Sequence, residues 1–370
     1  MYKNYKLSVC TVCMNRLYHL KETLLKNIED NLAYPNLEHV ILDYNSGDNM
    51  ETWAKEYLSE YINSGRVKYY RTPDPQKFNM SHAKNMVSRL ADGDIVCLVD
   101  ADNYTGRGYA EYVNDCFNKR ENIFLTTIAK RRIKNKMDVL GRICFWKNDF
   151  LQIKGFDEFM SSYGFDDHDF ANRLTLANRK RILLGKLKYL KAITHSFHER
   201  VENQEVSKEF DRLYIHHINP SESKLLYLFA DQSFSLGIIK DNNAAVALSF
   251  DRLLADKKNK YDESLTTEDW LRGSWIEEGP VLNLNFNDGN KLTFSSPDTQ
   301  ESMLTCEKGH AYFRVTNKRI ILDMILFHTM IRNRNRMCAN LKHKKTIVNS
   351  GGFGAGRVLA NFNDDVFINT

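Results

Sequence analysis

The chain has 370 residues, of which 42% are hydrophobic and 27% are charged, a composition typical of a soluble globular protein with about two domains. The formal net charge is only +5, so charge alone does not indicate a nucleic-acid partner, and we expect none. No uncharged apolar stretch reaches about 18 residues and no leader pattern precedes Leu7, so we expect a cytoplasmic protein that does not span a membrane. The seven cysteines are an odd number, which favours reduced thiols over a disulfide framework.

Strand and helix patterns alternate along the first hundred residues. Apolar runs and helical spacing predict strands over 7–14, 37–42, 67–70 and 95–99, with helices over 17–28, 50–61 and 81–90 between them. The junction at Asn15 and Arg16 lacks the glycine-rich turn of a dinucleotide site, which argues against an NAD enzyme. The fold class is therefore α/β, with a sheet flanked by helices on both faces.

Two carboxylates, Asp100 and Asp102, follow the apolar run Ile95–Val99 directly. Residues two apart project to the same side at the carboxyl end of a parallel strand, where open α/β sheets bind ligands. This Asp-x-Asp pattern suits a hard divalent cation that bridges to a nucleoside diphosphate. The alternative is a strand exit with two solvated aspartates, since the motif is short and common.

Beyond Asn103 the pattern predicts a helix over 109–117 and strands over 123–128, 141–146 and 187–193. The basic run Lys130–Lys136 is either a solvated hairpin tip or a lid over phosphates.

Two further clusters carry chemistry. Asp166, Asp167, His168 and Asp169 begin a helix after a glycine-aromatic turn; acids favour a helix start, but this many titratable groups suggest a site. The segment that contains His195 and His198 comes after a predicted strand, and its histidines are either structural or metal ligands.

These three clusters, in this order, resemble GT-A fold glycosyltransferases of the family 2 type. The acidic segment is similar to that of β-1,4-galactosyltransferases and chondroitin polymerases. The resemblance covers residues 6–200 and implies a GT-A-like mixed sheet with Mn²⁺ or Mg²⁺ as cofactor. It implies a nucleoside diphosphate sugar as donor and a saccharide or lipid-linked saccharide as acceptor.

The resemblance also implies roles for individual residues. Asp167 falls on the catalytic base and Asp166 on an acid that contacts the acceptor. Asp102 and His195 fall on metal ligands, with His198 as a second histidine candidate. The remaining positions would contact the nucleotide sugar; they are Thr11, Asn15, Arg16, Asp43, Lys84, Asn85 and Asp100.

The chain departs from the family where two consecutive aspartates usually follow the second strand. It has Asp43 and Tyr44 instead, so either Asp43 takes the role or Tyr44 stacks on the base. The acidic segment also has Phe165 where galactosyltransferases have tryptophan. Donor sugar and acceptor stay open on this ground.

The expected function is metal-dependent, inverting transfer of a hexose or N-acetylhexosamine from a UDP-linked donor, in polysaccharide or glycoconjugate biosynthesis. One alternative is a sugar nucleotidyltransferase, although Asn15-Arg16 is not its glycine-rich loop. The other is a non-enzymatic protein that binds nucleic acid or a membrane surface.

We expect residues 1–218 to form the catalytic domain and residues 219–370 an α+β accessory domain. The alternation that ends at the Asn287–Asn290 turn predicts a β-hairpin. Residues 320–341 are predicted to form a basic helix, either solvated or in peripheral contact with the inner membrane face. The Gly351–Gly356 run is predicted to be a turn between strands.

Overall fold

The computed structural model describes residues 2–127, 139–161, 163–194, 210–219, 222–240, 270–296 and 302–369. The strands of the first part are β1 (Leu7–Cys13), β2 (Leu37–Tyr44), β3 (Val67–Thr72), β4 (Ile95–Leu98), β5 (Asn103–Tyr104), β6 (Ile123–Thr126), β7 (Ile143–Trp146), β8 (Lys180–Leu183) and β9 (Lys191–Ala192). The later strands are β10 (Phe210–Asn219), β11 (Glu222–Phe229), β12 (Ser233–Lys240), β13 (Leu271–Glu278), β14 (Val281–Phe286), β15 (Lys291–Ser295), β16 (Met303–Cys306), β17 (Ala311–Arg314), β18 (Arg357–Ala360) and β19 (Asn363–Asn369). The helices are α1 (Leu17–Glu29), α2 (Met50–Tyr57), α3 (Ser59–Asn63), α4 (Met80–Leu90), α5 (Tyr109–Lys119), α6 (Lys147–Gln152), α7 (Asp166–Leu176) and α8 (Lys318–Lys342).

The described residues fall into two compact units. The first takes those before residue 196 together with those from Arg336 onward, and the second takes the rest, up to residue 335. This division differs from the single boundary near 218 expected from the sequence. The reason is that the last strands of the chain pair with the sheet of the first unit, which local patterns do not reveal.

A mixed sheet forms the centre of the first unit. Within the described residues it has nine strands in the order β19-β18-β3-β2-β1-β4-β7-β6-β8. Strands β3, β2, β1 and β4 are parallel, whereas β7 pairs antiparallel with β4 and β6. The prediction of an α/β mixed sheet flanked by helices is confirmed.

Helices cover both faces of this sheet, because the strands are apolar on both sides. On one face, α4, α6 and α7 pack on side chains such as Val40 and Leu98. On the other, α5 packs on Val9 and Cys97, and α1 and α2 pack on Ile41. Strand β4, which precedes Asp100 and Asp102, therefore lies in a sheet that has a hydrophobic core on both faces.

Three local predictions differ from the structure. The helix expected over 50–61 is interrupted at Leu58, which separates α2 from α3. The helix expected over 81–90 begins one residue earlier, at Met80, and its cap is Asn79, whose side chain accepts a hydrogen bond from His82 N. The strand expected over 187–193 is instead a 3₁₀ turn (Leu187–Tyr189) followed by the two-residue β9.

The second unit contains an antiparallel sheet that closes on itself, from β10 through β17 and back to β10. Its interior is filled by side chains such as Tyr214, Leu284 and Phe294. Phe327 and Ile331 of α8 pack on a second cluster outside it. The predicted hairpin at Asn287–Asn290 is confirmed, since it joins the paired strands β14 and β15.

The chain returns to the first unit within α8 and ends in β18 and β19. The Gly351–Gly356 run lies between the residues that follow α8 and strand β18, so it does not join two strands as predicted.

Among the described residues, no helix is both long and apolar enough to cross a membrane. All seven cysteines are described and none forms a disulfide, as expected.

Candidate active site

A buried lysine joins the two carboxylates that begin α7. Lys84 Nζ lies 2.8 Å from Asp166 Oδ2 and 2.6 Å from Asp167 Oδ1. The side chains of Lys84, Asp166 and Asp167 are only 5%, 11% and 15% exposed. One cation therefore neutralises part of the charge of two adjacent carboxylates in a poorly solvated place.

This arrangement follows from where α4 and α7 lie. Both helices pack on the same face of the sheet, and the left-handed Phe165 turns the chain into α7. On α4, apolar Ala83, Met86 and Val87 face the core. A second, polar stripe at i, i+3, i+4 and i+7 is also buried, and it consists of Ser81, Lys84, Asn85 and Ser88.

The electrostatics of the cluster favour a proton acceptor at Asp167. Burial and the neighbouring Asp166 raise the pKa of Asp167 to about 8, against the lowering effect of Lys84. Burial also opposes the charged form of Lys84, but Asp166, Asp167 and Asp100 outweigh it and raise the pKa of the lysine. A carboxyl with a pKa near neutrality is suited to general-base catalysis.

Asp100 lies near the same cluster. Burial, opposed by Lys84 and supported by Asp102, raises the pKa of Asp100 to about 6. Gly141 packs against this carboxyl so closely that a Cβ there would overlap Oδ2 and lie 2.7 Å from Oδ1. The glycine thus leaves the space that the Asp100 side chain fills.

Adding a methyl group at Gly141 should therefore displace Asp100. We expect Gly141→Ala to reduce the free energy of unfolding by about 1–3 kcal/mol, the usual cost of overpacking. Gly185→Ala is the matched control, because nothing lies within 4 Å of a Cβ at Gly185. Urea unfolding of both variants checks this, and equal stability would contradict the close contact at Asp100.

The second carboxylate of the strand end is held by a chain of side chains. Asn103 Nδ2 donates to Asp102 Oδ1 at 2.5 Å, and Arg142 Nη2 donates to Asn103 Oδ1 at 2.9 Å. Arg142 is fully buried, and its Nε and Nη1 have no hydrogen-bond partner among the described residues. The positive charge of Arg142 also lowers the pKa of Asp100. Arg142 therefore favours the charged form of Asp100 and, through Asn103, helps to hold Asp102 in place.

His195 and His198 lie outside the described residues, as does the predicted basic loop Lys130–Lys136. Within the part of the chain that is described, no group of three or more His, Cys, Asp or Glu side chains could hold a metal. Ile193 N, however, donates to the carbonyl oxygen of Asp102 at 2.8 Å.

The turns after β1 and β2 are tied together near the predicted nucleotide site. Asn15 Oδ1 accepts from Gly47 N at 2.7 Å, and Arg16 Nη1 donates to the Tyr18 hydroxyl at 3.2 Å. Thr11 is buried in β1 at 4% exposure. Asn15 is exposed and Arg16 is partly exposed. Of Thr11, Asn15 and Arg16, the last two are therefore accessible from solvent.

Asp43 is engaged inside the protein. Its Oδ2 accepts from the Tyr69 hydroxyl at 2.7 Å and its Oδ1 from Ser46 N at 2.8 Å. Tyr44 is likewise buried, with its hydroxyl 2.7 Å from His82 Nδ1. A base contact by Asp43 or by Tyr44 would require movement, and the choice between them stays a prediction.

Asn85 is likewise engaged inside the protein. It is fully buried, and its Oδ1 accepts from Phe156 N while its Nδ2 donates to Phe156 O and Glu158 Oε1. Gly354 N donates to the same Glu158 Oε1 at 2.6 Å. Asn85 therefore fixes the loop before α7, and its contact with the nucleotide stays a prediction.

Sequence reasoning assigned Lys84 to the nucleotide and gave no role to Arg142. The sequence nevertheless indicates that both residues are buried and need polar partners. The polar stripe of α4 has helical spacing, and Arg142 interrupts the apolar run from Gly141 to Trp146. Buried polar residues in such positions indicate partners elsewhere in the fold.

A little under half of the chain, residues 8–179, matches the model of the family described as Glycosyl transferase family 2. Residues 8–179 thus match a family 2 glycosyltransferase domain. This domain contains Lys84, Asp100, Asp102, Asp166 and Asp167, so the whole described cluster lies within it.

The minor teichoic acid biosynthesis protein GgaB of Bacillus subtilis (strain 168) is 26% identical over 119 residues, which are 32% of this chain and 13% of that protein. The chain thus matches a small part of that relative. Among solved structures, mannosyltransferase PcManGT from Pyrobaculum calidifontis, in complex with GDP-Man and Mn²⁺, is 19% identical with a TM-score of 0.44, over 55% of this chain and 64% of that one. S. aureus TarS 1-349 is 17% identical with a TM-score of 0.40, over 50% of this chain and 59% of that one.

Proposed function

We propose that this chain is a metal-dependent, inverting glycosyltransferase. It would move a hexose or N-acetylhexosamine from a UDP-linked sugar to a saccharide or glycolipid acceptor. The observation that carries the proposal is the cluster of Lys84, Asp166 and Asp167 beside Asp100, at the carboxyl end of β4 and inside the family 2 domain.

Asp167 is the proposed catalytic base. Lys84 holds its Oδ1, and no hydrogen bond to its Oδ2 occurs among the described residues, so Oδ2 can accept a proton. As the acceptor hydroxyl loses its proton to Oδ2, the acceptor oxygen attacks the anomeric carbon and the bond to the nucleoside diphosphate breaks. A single displacement of this kind inverts the anomeric configuration.

The leaving diphosphate needs positive charge near Asp100 and Asp102. Two carboxylates so placed match the hard oxygen ligands that Mn²⁺ and Mg²⁺ prefer, so the residues present fit such an ion. When bound, the ion would act as a Lewis acid on the diphosphate. We propose Asp102 with His195 as ligands in preference to His198, because His195 is two residues beyond Ile193, whose N–H bonds to Asp102 O.

Asp166 would contact the acceptor, with Asn15 and Arg16 at the donor side. The name of the Bacillus subtilis relative supports a role in assembly of a surface polysaccharide or glycoconjugate. The family 2 domain favours transfer of a sugar over the nucleotidyltransferase and binding-protein alternatives.

A panel of nucleotide sugars with Mn²⁺, scored by hydrolysis and by thermal stabilisation, tests the proposal, since a ligand that binds the native state raises Tm.

Replacing Asp102 by alanine tests the metal assignment. We expect Asp102→Ala to weaken Mn²⁺-dependent binding of the donor by more than about 100-fold, because even supporting residues of metal sites cost 10- to 100-fold when removed. Isothermal titration with the donor, with and without Mn²⁺, gives this number. Asp288→Ala, in an exposed turn of the second unit, is the control.

The protein should stay folded, because Asp102 is only partly buried and lies outside the strand. Undiminished Mn²⁺-dependent affinity in a folded Asp102→Ala protein would show that the strand-end carboxylates do not serve a metal.

A further inference from the structure

The residues from Arg336 onward, here called the C-terminal segment, supply a buried amide to the family 2 domain. The amide binds at the acidic motif, which is the first turn of α7 with Asp166, Asp167 and Asp169. Asn340, on α8, donates through Nδ2 to Asp169 Oδ1 at 2.9 Å and to Asp157 Oδ2 at 3.2 Å. Asn340 is 5% exposed, and both aspartates are 1% exposed. The bridge therefore lies in a place where an unmade hydrogen bond is costly.

Each of the two carboxylates also has a guanidinium partner. Arg336 donates to Asp157 through Nε at 2.6 Å and Nη2 at 2.9 Å, and Arg173 Nε donates to Asp169 Oδ2 at 2.6 Å. The Asn340 amide thus connects two ion pairs: a partly buried one on the loop before α7, since Arg336 is 33% exposed, and a fully buried one on α7 itself. Networks of this kind are rigid when every member is satisfied.

Asp169 lies in the first turn of α7, two residues after Asp167. Its backbone N–H donates to Phe165 O at 2.8 Å. The next side chain, Phe170, stacks on Phe156 with ring centroids 4.1 Å apart. Anchoring Asp169 therefore fixes the orientation of the turn that presents Asp166 and Asp167.

The same C-terminal segment fixes the loop before α7 at a second place. Asn349 Nδ2 donates to Phe156 O at 2.6 Å and to Lys154 O at 2.8 Å. Arg173 Nη1 also donates to the backbone oxygen of Thr346 at 3.4 Å. Residues well beyond 179 therefore contact both the loop and the helix of the acidic motif.

We propose that Asn340 is a positioning residue that holds Asp166 and Asp167 against Lys84. This inference rests on the proposed function for its kinetic consequence, but the structural consequence stands without it. It makes the C-terminal segment, which the family match does not include, a working part of the catalytic unit.

Asn340→Leu keeps the branched outline of the side chain and lacks the amide, although leucine is larger; the control below carries the same increase in size. We expect kcat for sugar transfer to fall by about 10- to 100-fold, because a small misplacement of a catalytic group costs this much. The KM for the donor should stay within about twofold, since Asn340 does not contact the strand-end carboxylates that would bind the diphosphate. Hydrogen exchange of a peptide over 165–171 should become at least about tenfold faster, because the first turn of α7 loses its anchor.

Asn114→Leu is the matched control. Asn114 is also a fully buried asparagine on a helix, and it bonds Lys3 O and Tyr5 N on the opposite face of the sheet. We expect it to reduce stability while kcat and the exchange of peptide 165–171 stay unchanged. Asn340→Ser removes the bridge with a smaller side chain and gives the same readouts if the leucine variant does not fold.

An unchanged kcat together with unchanged exchange in the Asn340 variants would overturn the inference. So would a loss of kcat that Asn114→Leu reproduces, since that would be a general effect of stability. If the wild type transfers no sugar, the proposed function fails, and the exchange measurement alone decides the role of Asn340.

Discussion

Asp167→Asn is expected to lower turnover by at least about 100-fold, the usual contribution of a general base. Asparagine keeps the shape of the side chain, and its Oδ1 can still accept from Lys84 Nζ, which lies 2.6 Å away in the wild type. It cannot take the proton of the acceptor hydroxyl. Donor affinity should be nearly unchanged, so the loss should fall on kcat.

Asp166→Asn is the matched comparison, because Asp166 also bonds Lys84 and lies one residue away. We expect it mainly to raise the KM of the acceptor. Both variants are measured with the same donor and acceptor at saturating Mn²⁺. If Asp166→Asn loses turnover and Asp167→Asn keeps it, the two roles are exchanged; if neither changes, the acidic segment is only a helix start.

The pH dependence should have a definite sign. Asp167 must be deprotonated to act as a base, and burial and Asp166 raise its pKa to about 8. The kcat/KM of the wild type should therefore rise with pH and level off above about pH 8. A profile that is flat between about pH 6 and pH 9 would contradict Asp167 as the base.

The sheet and the end of β4 could be predicted because they depend on local patterns. Apolar runs and helical spacing identify β1 to β4 and their helices, and carboxylates after an apolar run identify Asp100 and Asp102. The bond between Lys84 and Asp167 could not be predicted this way, since it requires knowing that α4 and α7 share one face of the sheet.

The same limit explains the domain boundary. Asn361 Oδ1 accepts from Tyr69 N across 292 residues of sequence, and β18 pairs with β3 beside it. Nothing in the local pattern of Arg357–Ala360 indicates which sheet it joins. The role of Asn340 depends on the same long-range return of the chain.

Lys84→Met should have the largest effect on stability. The variant leaves Asp166 and Asp167 without their shared cation, although the side chain keeps a similar length. Breaking a buried ion pair by removing one partner typically costs about 3–5 kcal/mol, a large part of the 5–15 kcal/mol that stabilises a typical domain. Urea unfolding at about pH 8 measures the loss in the free energy of unfolding.

The loss should depend on pH in one direction. Lys84 lowers the pKa of both Asp100 and Asp167, so its removal raises these pKa values above the wild-type values of about 6 and about 8. Carboxyls with a raised pKa in the folded state destabilise it when they are charged. The difference between wild type and Lys84→Met should therefore be small near about pH 5, where Asp100 and Asp167 are mostly protonated in both proteins, and should grow as the pH rises through about 8 and beyond.

Two further variants separate charge from packing. Lys84→Arg keeps the cation and should retain most of the stability, although the larger guanidinium will not fit both carboxylates equally well. Adding Asp166→Asn to Lys84→Met removes one uncompensated charge and should recover part of the loss. If Lys84→Met matches the wild type at about pH 8, or if Asp166→Asn fails to recover stability in it, the lysine is not the cation on which this pair of carboxylates depends, and the proposed positioning of Asp167 by Lys84 falls with it.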